Sequence, residues 1–418
     1  MNFSAIIPPW LDQNLFEKAF RSYENDPSAQ VHDFKVEAAT QPGENFASAV
    51  FRGKIKFSSK FSKGEKEISV IIKTKPVMEI NENIPEEMRQ QIEVFHNSNL
   101  FDTEMAMYGS VLPLIENLLH SINERDVVWP KLIYQTNSPK PVIILEDVTV
   151  NGYDTMIKTF HEDFEISKII FERLAKYHAA SFYLEKEQKY DTSLFSDAFY
   201  KREDVINGMF GQSIDFAIAT FSSWEGFEQY VQPLMKFKEN FIEKSKKSYS
   251  PANGPNAFNV LNHGDFHIRN LLYKMKPEGQ GIEDFVFLDF QIAVRGTPAI
   301  DLYYALYNFI SAENRHNRYD EILQIYHEKF TECLKKFGYL KPPPSLIDLH
   351  VEMMKNGNVQ VILAICAYAI LMLDLSTLTP EELALGMGGM AMKAAQNPKF
   401  KEIMRKELPM FLHKGFLC

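Results

Sequence analysis

The sequence predicts an α+β fold in two lobes, a small β-rich lobe followed by a larger and mostly helical one. Short apolar runs bounded by charges fill the first third of the chain, whereas apolar residues in the remainder recur every three or four positions. With 418 residues the chain is long enough for about two or three domains. Since the pattern changes near Gly152, we expect an N-terminal lobe over residues 1–150 and a C-terminal lobe over residues 151–418.

Strands are predicted in the first lobe where branched and aromatic residues cluster, namely over 31–36, 45–57, 68–74, 130–134 and 141–145. One helix is predicted between them, because apolar residues recur at helical spacing from Phe101 to Ile115. The pair Asn151-Gly152 marks a turn. The order of these elements predicts a sheet with one helix packed against it.

Helices dominate the second lobe, and the strongest patterns cover 164–186, 227–242 and 319–337. Two short apolar runs, 271–273 and 285–288, predict strands within this lobe. The longest apolar run, Val361 to Leu373, is much shorter than the roughly 20 residues that span a membrane. We therefore interpret it as a buried helix of a large core.

The composition excludes several classes of protein. The chain carries 45 basic and 55 acidic residues, and a net charge of −10 disfavours nucleic acid as the main partner. The cysteines Cys333, Cys366 and Cys418 form no metal-binding or disulfide pattern. The start of the chain has no basic segment of the kind that opens a signal peptide. We expect a cytoplasmic protein without a membrane span, and its oligomeric state stays open.

The segment NHGDFHIRN (262–270) contains the strongest chemical signal. Asp265 precedes Asn270 by five positions, and Asp289 ends the next apolar run, so that a hairpin between the two strands would bring Asp289 close to Asn270. Phosphoryl transfer from ATP needs a carboxylate that orients the attacking hydroxyl, and hard oxygen ligands for Mg²⁺. We assign the first role to Asp265 and metal binding to Asn270 and Asp289. Each motif alone is common in turns, and it is their order and context that predict a kinase.

Further segments extend this pattern in the same order: GENFAS (43–48), VIIKTKP (70–76), FDTEMAMY (101–108), VIILEDV (142–148), LAKYHAASF (174–182), LNHGDFHIRNLLYK (261–274) and FLDFQIAVRGTPAIDLYYAL (287–306). Together they resemble the ecdysteroid kinase-like (CHK-like) family, within the choline kinase and aminoglycoside phosphotransferase-like superfamily. The resemblance implies a protein-kinase-like bilobal fold that uses ATP and Mg²⁺.

The resemblance also implies roles for residues of the first lobe. Lys73 would pair with Glu104 and contact the α- and β-phosphates of ATP. Ser48 would belong to the loop that covers the phosphates, although its single glycine makes that motif weak. The hinge that offers main-chain groups to adenine would consist of Glu146, Asp147 and Val148.

In the second lobe, the resemblance implies that Asp301 anchors the catalytic loop and that His263 supports it through hydrogen bonds. His178 lies between small residues of a predicted helix, and we interpret it as a packed structural histidine. His267 departs from the pattern, since many relatives have an aromatic residue such as Trp there, and no role follows for it. We expect Arg269 to contact either phosphate or an acidic neighbour, and the sequence does not decide between them.

A small molecule is the expected acceptor. Gly264 and Gln291 stand where protein kinases have the Arg of HRD and the Gly of DFG, and only 12 positions separate Asp289 from Asp301. That distance leaves no room for a regulated activation segment. The resemblance, with aromatic residues such as Tyr303, Tyr304 and Tyr307 in the helical lobe, predicts an ecdysteroid or a similar lipophilic alcohol. The alternatives are a choline or ethanolamine kinase and a non-catalytic nucleotide- or sterol-binding module.

Overall fold

The computed structural model describes residues 7–39, 48–61, 64–75, 98–155, 163–196, 199–254, 256–277, 281–368, 373, 377–379, 382 and 386–417. These residues form the predicted α+β architecture: an antiparallel sheet near the N-terminus is followed by a mostly helical region. The predicted fold class is therefore confirmed.

The N-terminal sheet consists of five antiparallel strands in the order β1-β2-β3-β5-β4. Their bounds are β1 Gln30–Ala38, β2 Ala49–Ser58, β3 Lys66–Thr74, β4 Leu132–Thr136 and β5 Val142–Glu146. Each of the predicted strands has a counterpart here, although residues 45–47 of the second one lie outside the described residues. The central strand β3 pairs with β2 and β5, so that Lys73 lies opposite Val50 and Ile143.

Alternation along β3 and β5 decides which side chains face the cleft between the lobes. Val70 and Ile72 of β3 pack on one face of the sheet, into a small core with helix α1 (Gln13–Tyr23). Ile143 and Leu145 of β5 point to the other face and join the large core shared with the C-terminal helices. Because successive side chains of a strand point to opposite faces, Lys73 lies on the same face as Ile71, towards the C-terminal lobe.

Helix α1 was not predicted, and the prediction of a single helix in this lobe is wrong. Asp12 caps its first turn by accepting a hydrogen bond from the N–H of Leu15. Phe16 and Phe20 are one turn apart. Phe16 packs at a tilt against Phe34 of the sheet, with ring centres 5.1 Å apart, and Phe20 stacks on Phe57 at 4.3 Å. The helix thus covers the sheet face that turns away from the cleft.

The one helix predicted in this lobe is present and continuous. It begins as α2 (Leu100–Ala106), passes through a π-helical turn (Met107–Val111) and continues as α3 (Leu112–Ser121). Pro113 lies just after the π-helical turn. The π turn inserts one residue into the helix next to Glu104, and such turns are frequent at functional sites.

The C-terminal region is built around the long buried helix α4 (Phe164–Lys186), whose bounds match the prediction. The further helices of the described residues are α5 Glu203–Ile206, α6 Gln212–Ser223, α7 Glu228–Ser248, α8 Ala299–Asn308, α9 Ala312–Asn317, α10 Tyr319–Lys336, α11 Leu346–Lys355, α12 Gly357–Ile362, α13 Gly386–Ala395 and α14 Pro398–His413. The apolar run that starts at Val361 is buried through Cys366, as expected of a core helix. No helix in the described part of the chain is long and apolar enough to cross a membrane.

Two small sheets lie between α7 and α8. Strands β8 (Leu271–Met275) and β9 (Ile282–Phe287) form the predicted antiparallel hairpin, joined at its edge by β6 (Asp154–Thr155). Strands β7 (Val260–Asn262) and β10 (Val294–Gly296) pair next to it. The loops that follow β7 and β9 carry the motifs with Asp265 and Asp289, so the two sheets hold these loops side by side.

Candidate active site

An ion-pair cluster joins the two lobes at the cleft. The Nζ atom of Lys73 lies 2.6 Å from Oε1 of Glu104 and 2.7 Å from Oδ1 of Asp289. The Lys73 and Glu104 side chains are buried, whereas a fifth of the Asp289 side chain is exposed. One ammonium group therefore bridges β3, α2 and the loop after β9.

The burial of this cluster shapes its charges. Burial alone would lower the pKa of Lys73, but the carboxylates of Asp289 and Glu104 outweigh it and raise that pKa above its ordinary value. Burial raises the pKa of Glu104 to about 7. The charge of Lys73 acts in the opposite direction, and the negative charge of Asp289 adds to the rise. Oε2 of Glu104 is buried and accepts no hydrogen bond from the described residues. Lys73 is thus held as a cation, and the carboxyl group of Glu104 is protonated more easily than that of an ordinary glutamate.

Gly264 lets the loop after β7 pass close to the loop after β9. Its φ of +83° lies in the left-handed region, and an added Cβ would come within 2.0 Å of the carbonyl oxygen of Ile292. Glycine meets both demands, because it has no Cβ and adopts positive φ without strain. The close packing of the two loops therefore requires glycine at this position of the motif.

Asp301, near the start of α8, holds the same loop by its main chain. Its carboxylate accepts hydrogen bonds from the N–H groups of His263 (2.6 Å) and Gly264 (2.9 Å). His178 of α4 donates to it from Nε2 at 3.1 Å, and its Nδ1 accepts from the hydroxyl of Tyr326 at 2.8 Å. His178 is thus more than a packed histidine, since it connects α4 to the anchor of the loop.

His263 links the two loops directly. Its Nε2 donates to the carbonyl oxygen of Leu288, next to Asp289, at 2.7 Å. Burial lowers the pKa of His263, which keeps the ring neutral. Its ring also lies 4.8 Å from that of Phe290, which is fully buried and packs edge-on against Tyr108 of the π turn at 5.9 Å. The two neighbours of Asp289 in the chain are therefore held in place, Leu288 by the hydrogen bond to its carbonyl and Phe290 by burial of its ring.

Asp289 itself has an unusual backbone. Its φ and ψ are 65° and 63°, the left-handed conformation that only a few non-glycine residues adopt. Gln291 donates a hydrogen bond from Nε2 to its Oδ2 at 3.1 Å. Strained conformations of this kind cluster at functional sites, where the surrounding structure imposes them.

The Asp265 carboxylate is held on one oxygen. Oδ2 lies 3.1 Å from Nδ2 of Asn270 and 3.2 Å from Nε2 of His267. Burial would raise the pKa of Asp265, but the charge and hydrogen bond of His267 outweigh it and leave that pKa below its ordinary value. Oδ1 accepts no hydrogen bond from the described residues, and 18% of the side chain is exposed. Asp265 thus presents one free carboxylate oxygen at the cleft.

Asn270 and Asp289 lie side by side, because the β8–β9 hairpin aligns Leu271 with Phe287 and the N–H of Leu288 donates to the carbonyl of Asn270 at 2.9 Å. The amide nitrogen of Asn270 is used by Asp265, which leaves its Oδ1 for a cation. Among the described residues no group of three or more His, Cys, Asp or Glu could hold a metal ion. Mg²⁺ bound to a nucleotide needs only one or two protein oxygens, since phosphates and waters complete its shell. The pair fits such an ion.

The predicted hinge follows β5 at the end of the sheet. Asp147 is buried, and its carboxylate accepts hydrogen bonds from Ser69 (2.6 Å), Arg52 (2.8 Å) and the hydroxyl of Thr149 (2.6 Å). Its own N–H and that of Glu146 donate within the lobe, to Ser69 and Lys131. Asp147 thus braces this turn through its side chain, and its N–H donates to a main-chain oxygen of the same sheet.

Ser48 directly precedes β2, close to the pairing of Val50 with Lys73, and is buried. Residues 43–47 of the predicted phosphate-covering loop lie outside the described residues.

The aromatic residues of α8 divide between the core and the site. Tyr303 donates to the carbonyl of Met353 and Tyr307 to Glu407, so both belong to the core. Tyr304 instead lies next to Tyr200 and Tyr249, whose rings are 5.1 Å apart. Burial and the nearby charge of Asp265 raise the pKa of Tyr200 well above its ordinary value. Of the three tyrosines named from the sequence, Tyr304 alone joins a cluster beside Asp265.

The family comparison covers the residues of the candidate site from Ser48 to Tyr304. The sequence profile of the ecdysteroid kinase-like family matches residues 42–339, which is more than two thirds of the chain. The chain belongs to the ecdysteroid kinase-like family. The predicted resemblance is thereby confirmed, and the membership supports a small-molecule kinase. No curated protein matches the chain.

Solved structures of phosphotransferases also align with the chain at low identity. The GDP complex of wild-type aminoglycoside 2'-phosphotransferase-IIIa is 12% identical, with 95% of this chain and 99% of that chain covered and a TM-score of 0.38. Amicoumacin kinase hAmiN, in complex with AMP-PNP, Ca²⁺ and Ami, is 13% identical, with 94% and 93% covered and a TM-score of 0.38. A putative fructosamine-3-kinase from Haemophilus somnus 129PT is 12% identical, with 82% and 96% covered and a TM-score of 0.33.

Proposed function

We propose that the protein transfers the terminal phosphoryl group of ATP, in a Mg²⁺-dependent reaction, to a hydroxyl of an ecdysteroid or a similar lipophilic alcohol. The observation that carries this proposal is that Asp265, with one carboxylate oxygen bound and the other free, lies next to the cluster of Lys73, Glu104 and Asp289. One group is suited to an acceptor hydroxyl and the other to phosphates and a cation. The family description supports ecdysteroids as the first acceptors to test.

In this proposal the residues divide the work as follows. Oδ1 of Asp265 accepts the proton of the acceptor hydroxyl while its oxygen bonds to the γ-phosphorus, and ADP leaves with the electrons of the broken P–O bond. Lys73 turns from Asp289 to the phosphates and keeps Glu104 as its partner. Asn270 and the freed Asp289 would hold Mg²⁺, which would supply positive charge at the phosphate oxygens.

The exchange of partners by Lys73 follows from its contacts. Oδ1 of Asp289 is occupied by Lys73 at 2.7 Å, so a cation at Asp289 would repel the ammonium group. Phosphate oxygens offer Lys73 a replacement for the lost carboxylate. Binding of the nucleotide and the metal ion should therefore be strongly coupled, each being weak without the other.

The test is ADP release from Mg-ATP against a panel of ecdysone, other sterols, phenolic glycosides, choline and ethanolamine. Wild-type protein should release ADP with ecdysone or a related alcohol, and Asp265→Ala and Asp289→Ala should abolish the acceptor-dependent part. Asp215→Asn, an exposed residue of a surface ion pair on α6, is the matched control and should behave like wild type. Full activity in Asp265→Ala would refute the assignment of the base, and turnover with choline alone would refute the acceptor class.

A further inference from the structure

Both ring nitrogens of His267 are in contact with polar groups. Nδ1 accepts a hydrogen bond from the N–H of Arg269 at 3.2 Å and so caps the short 3-10 turn Ile268–Asn270. An accepting Nδ1 carries no proton, so the proton of the neutral ring is on Nε2. Nε2 lies 3.2 Å from Oδ2 of Asp265. The cap thus fixes the tautomer that can donate to the carboxylate.

The two oxygens of the Asp265 carboxylate therefore have different surroundings. With Asn270 at 3.1 Å on the same oxygen, Oδ2 has two donors, and Oδ1 has none from the described residues. Two donors on one oxygen stop the carboxylate from rotating about its last bond. Both side chains are partly exposed, 22% for His267 and 18% for Asp265, so the pair borders the cleft.

We infer that His267 is a positioning residue, which holds Oδ2 of Asp265 so that Oδ1 stays directed at the acceptor hydroxyl. The inference rests on the proposed function of Asp265. A carboxylate held by Asn270 alone keeps its place in the loop but not its orientation. Because misplacement of a reacting group by about 1 Å costs up to about 100-fold in rate, the loss of this bond should lower kcat rather than binding.

Two substitutions separate this role from the cap. His267→Asn retains an acceptor near the position of Nδ1, so the cap survives, but it removes the donor to Asp265. His267→Gln retains a donor near the position of Nε2 but loses the cap. With ecdysone and Mg-ATP, His267→Asn should lower kcat by about 10- to 100-fold with KM for ATP unchanged within about 2-fold. His267→Gln should stay within about 5-fold of wild type. The reverse ranking, or equal kcat values, would overturn the inference.

A crystal structure of each variant gives a reading that does not depend on turnover. In His267→Asn the side chain of Asp265 should occupy more than one rotamer, and in His267→Gln it should keep one. A single, wild-type rotamer in His267→Asn would refute the positioning role whatever the activity. If wild-type protein phosphorylates no alcohol, the proposed function fails, and the two rotamer results still decide whether His267 orients Asp265.

Discussion

The packing of Gly264 leads to a quantitative prediction. In Gly264→Ala the new Cβ would lie 2.0 Å from the carbonyl oxygen of Ile292, and the backbone would keep a φ of +83°. The left-handed conformation costs an alanine about 1–2 kcal/mol. The two loops must also move apart to relieve the clash between the Cβ and the main-chain oxygen, and overpacking of this kind costs about 1–3 kcal/mol more. We therefore expect the free energy of unfolding to fall by about 2–5 kcal/mol.

Gly338 is a matched control, because its φ is +84° and nothing lies within 4 Å of an added Cβ. Gly338→Ala should cost only the backbone component, about 1–2 kcal/mol, and leave turnover unchanged. Urea unfolding measures both free energies, and ADP release measures turnover. Since Ile292 ends the turn that begins after Asp289, Gly264→Ala should also lose most of its activity. Equal stability of the two variants, within about 0.5 kcal/mol, together with full activity of Gly264→Ala would refute the packing argument.

Two further predictions concern buried charges. Glu104→Gln removes the charged partner that Lys73 keeps when ATP binds, so the Kd of Mg-ATP, measured by calorimetry, should rise about 10-fold. The control is Glu407→Gln, which breaks the buried ion pair with Arg315 (2.7 Å). This variant should lower the free energy of unfolding by about 3 kcal/mol and leave the Kd of Mg-ATP within about 2-fold of wild type. Equal Kd values in the two variants would contradict the role of Glu104. Burial would raise the pKa of Asp147, but its bonds to Ser69, Thr149 and Arg52 outweigh it and lower that pKa from 3.8. This carboxylate therefore stabilises the fold at neutral pH, and the gain disappears as the pH falls below about 3.8 through its folded pKa. Asp147→Asn should lower the free energy of unfolding by about 2–3 kcal/mol at pH 7, and this difference from wild type should shrink when unfolding is measured in acid. A difference in unfolding free energy that stays constant down to pH 3 would contradict this prediction.

Much of the scaffold could be predicted because its signals are local. The alternation of apolar residues along Ile68 to Thr74 determines that Lys73 lies on the cleft face, and the spacing of Asp265, Asn270 and Asp289 around two apolar runs determines the hairpin. Helix α1 was missed because its four buried residues are few and a proline pair precedes it, although Asp12 before Leu15 and Phe16 was a capping signal.

The contacts that complete the site depend on tertiary structure. Lys73 and Asp289 are separated by 216 positions, and nothing in either segment indicates that they form an ion pair. The bond from His267 to Asp265 depends on the tautomer that the N–H of Arg269 selects. Tyr303, Tyr304 and Tyr307 look alike in the sequence, and only the direction of each side chain from α8 distinguishes the residue beside Asp265 from the two in the core.

The most direct test of the central claim is detection of the phosphate ester itself. Wild-type protein and Asp265→Asn would be incubated with Mg-ATP and ecdysone, and the product followed by mass spectrometry and phosphorus NMR. We predict an ecdysone phosphate in amounts equal to the ADP formed by wild type, and none with Asp265→Asn, although that variant should still bind Mg-ATP. Equal ester formation by both proteins, or ADP without any phosphorylated alcohol across the whole panel, would contradict the assignment of this site to phosphoryl transfer onto a lipophilic alcohol.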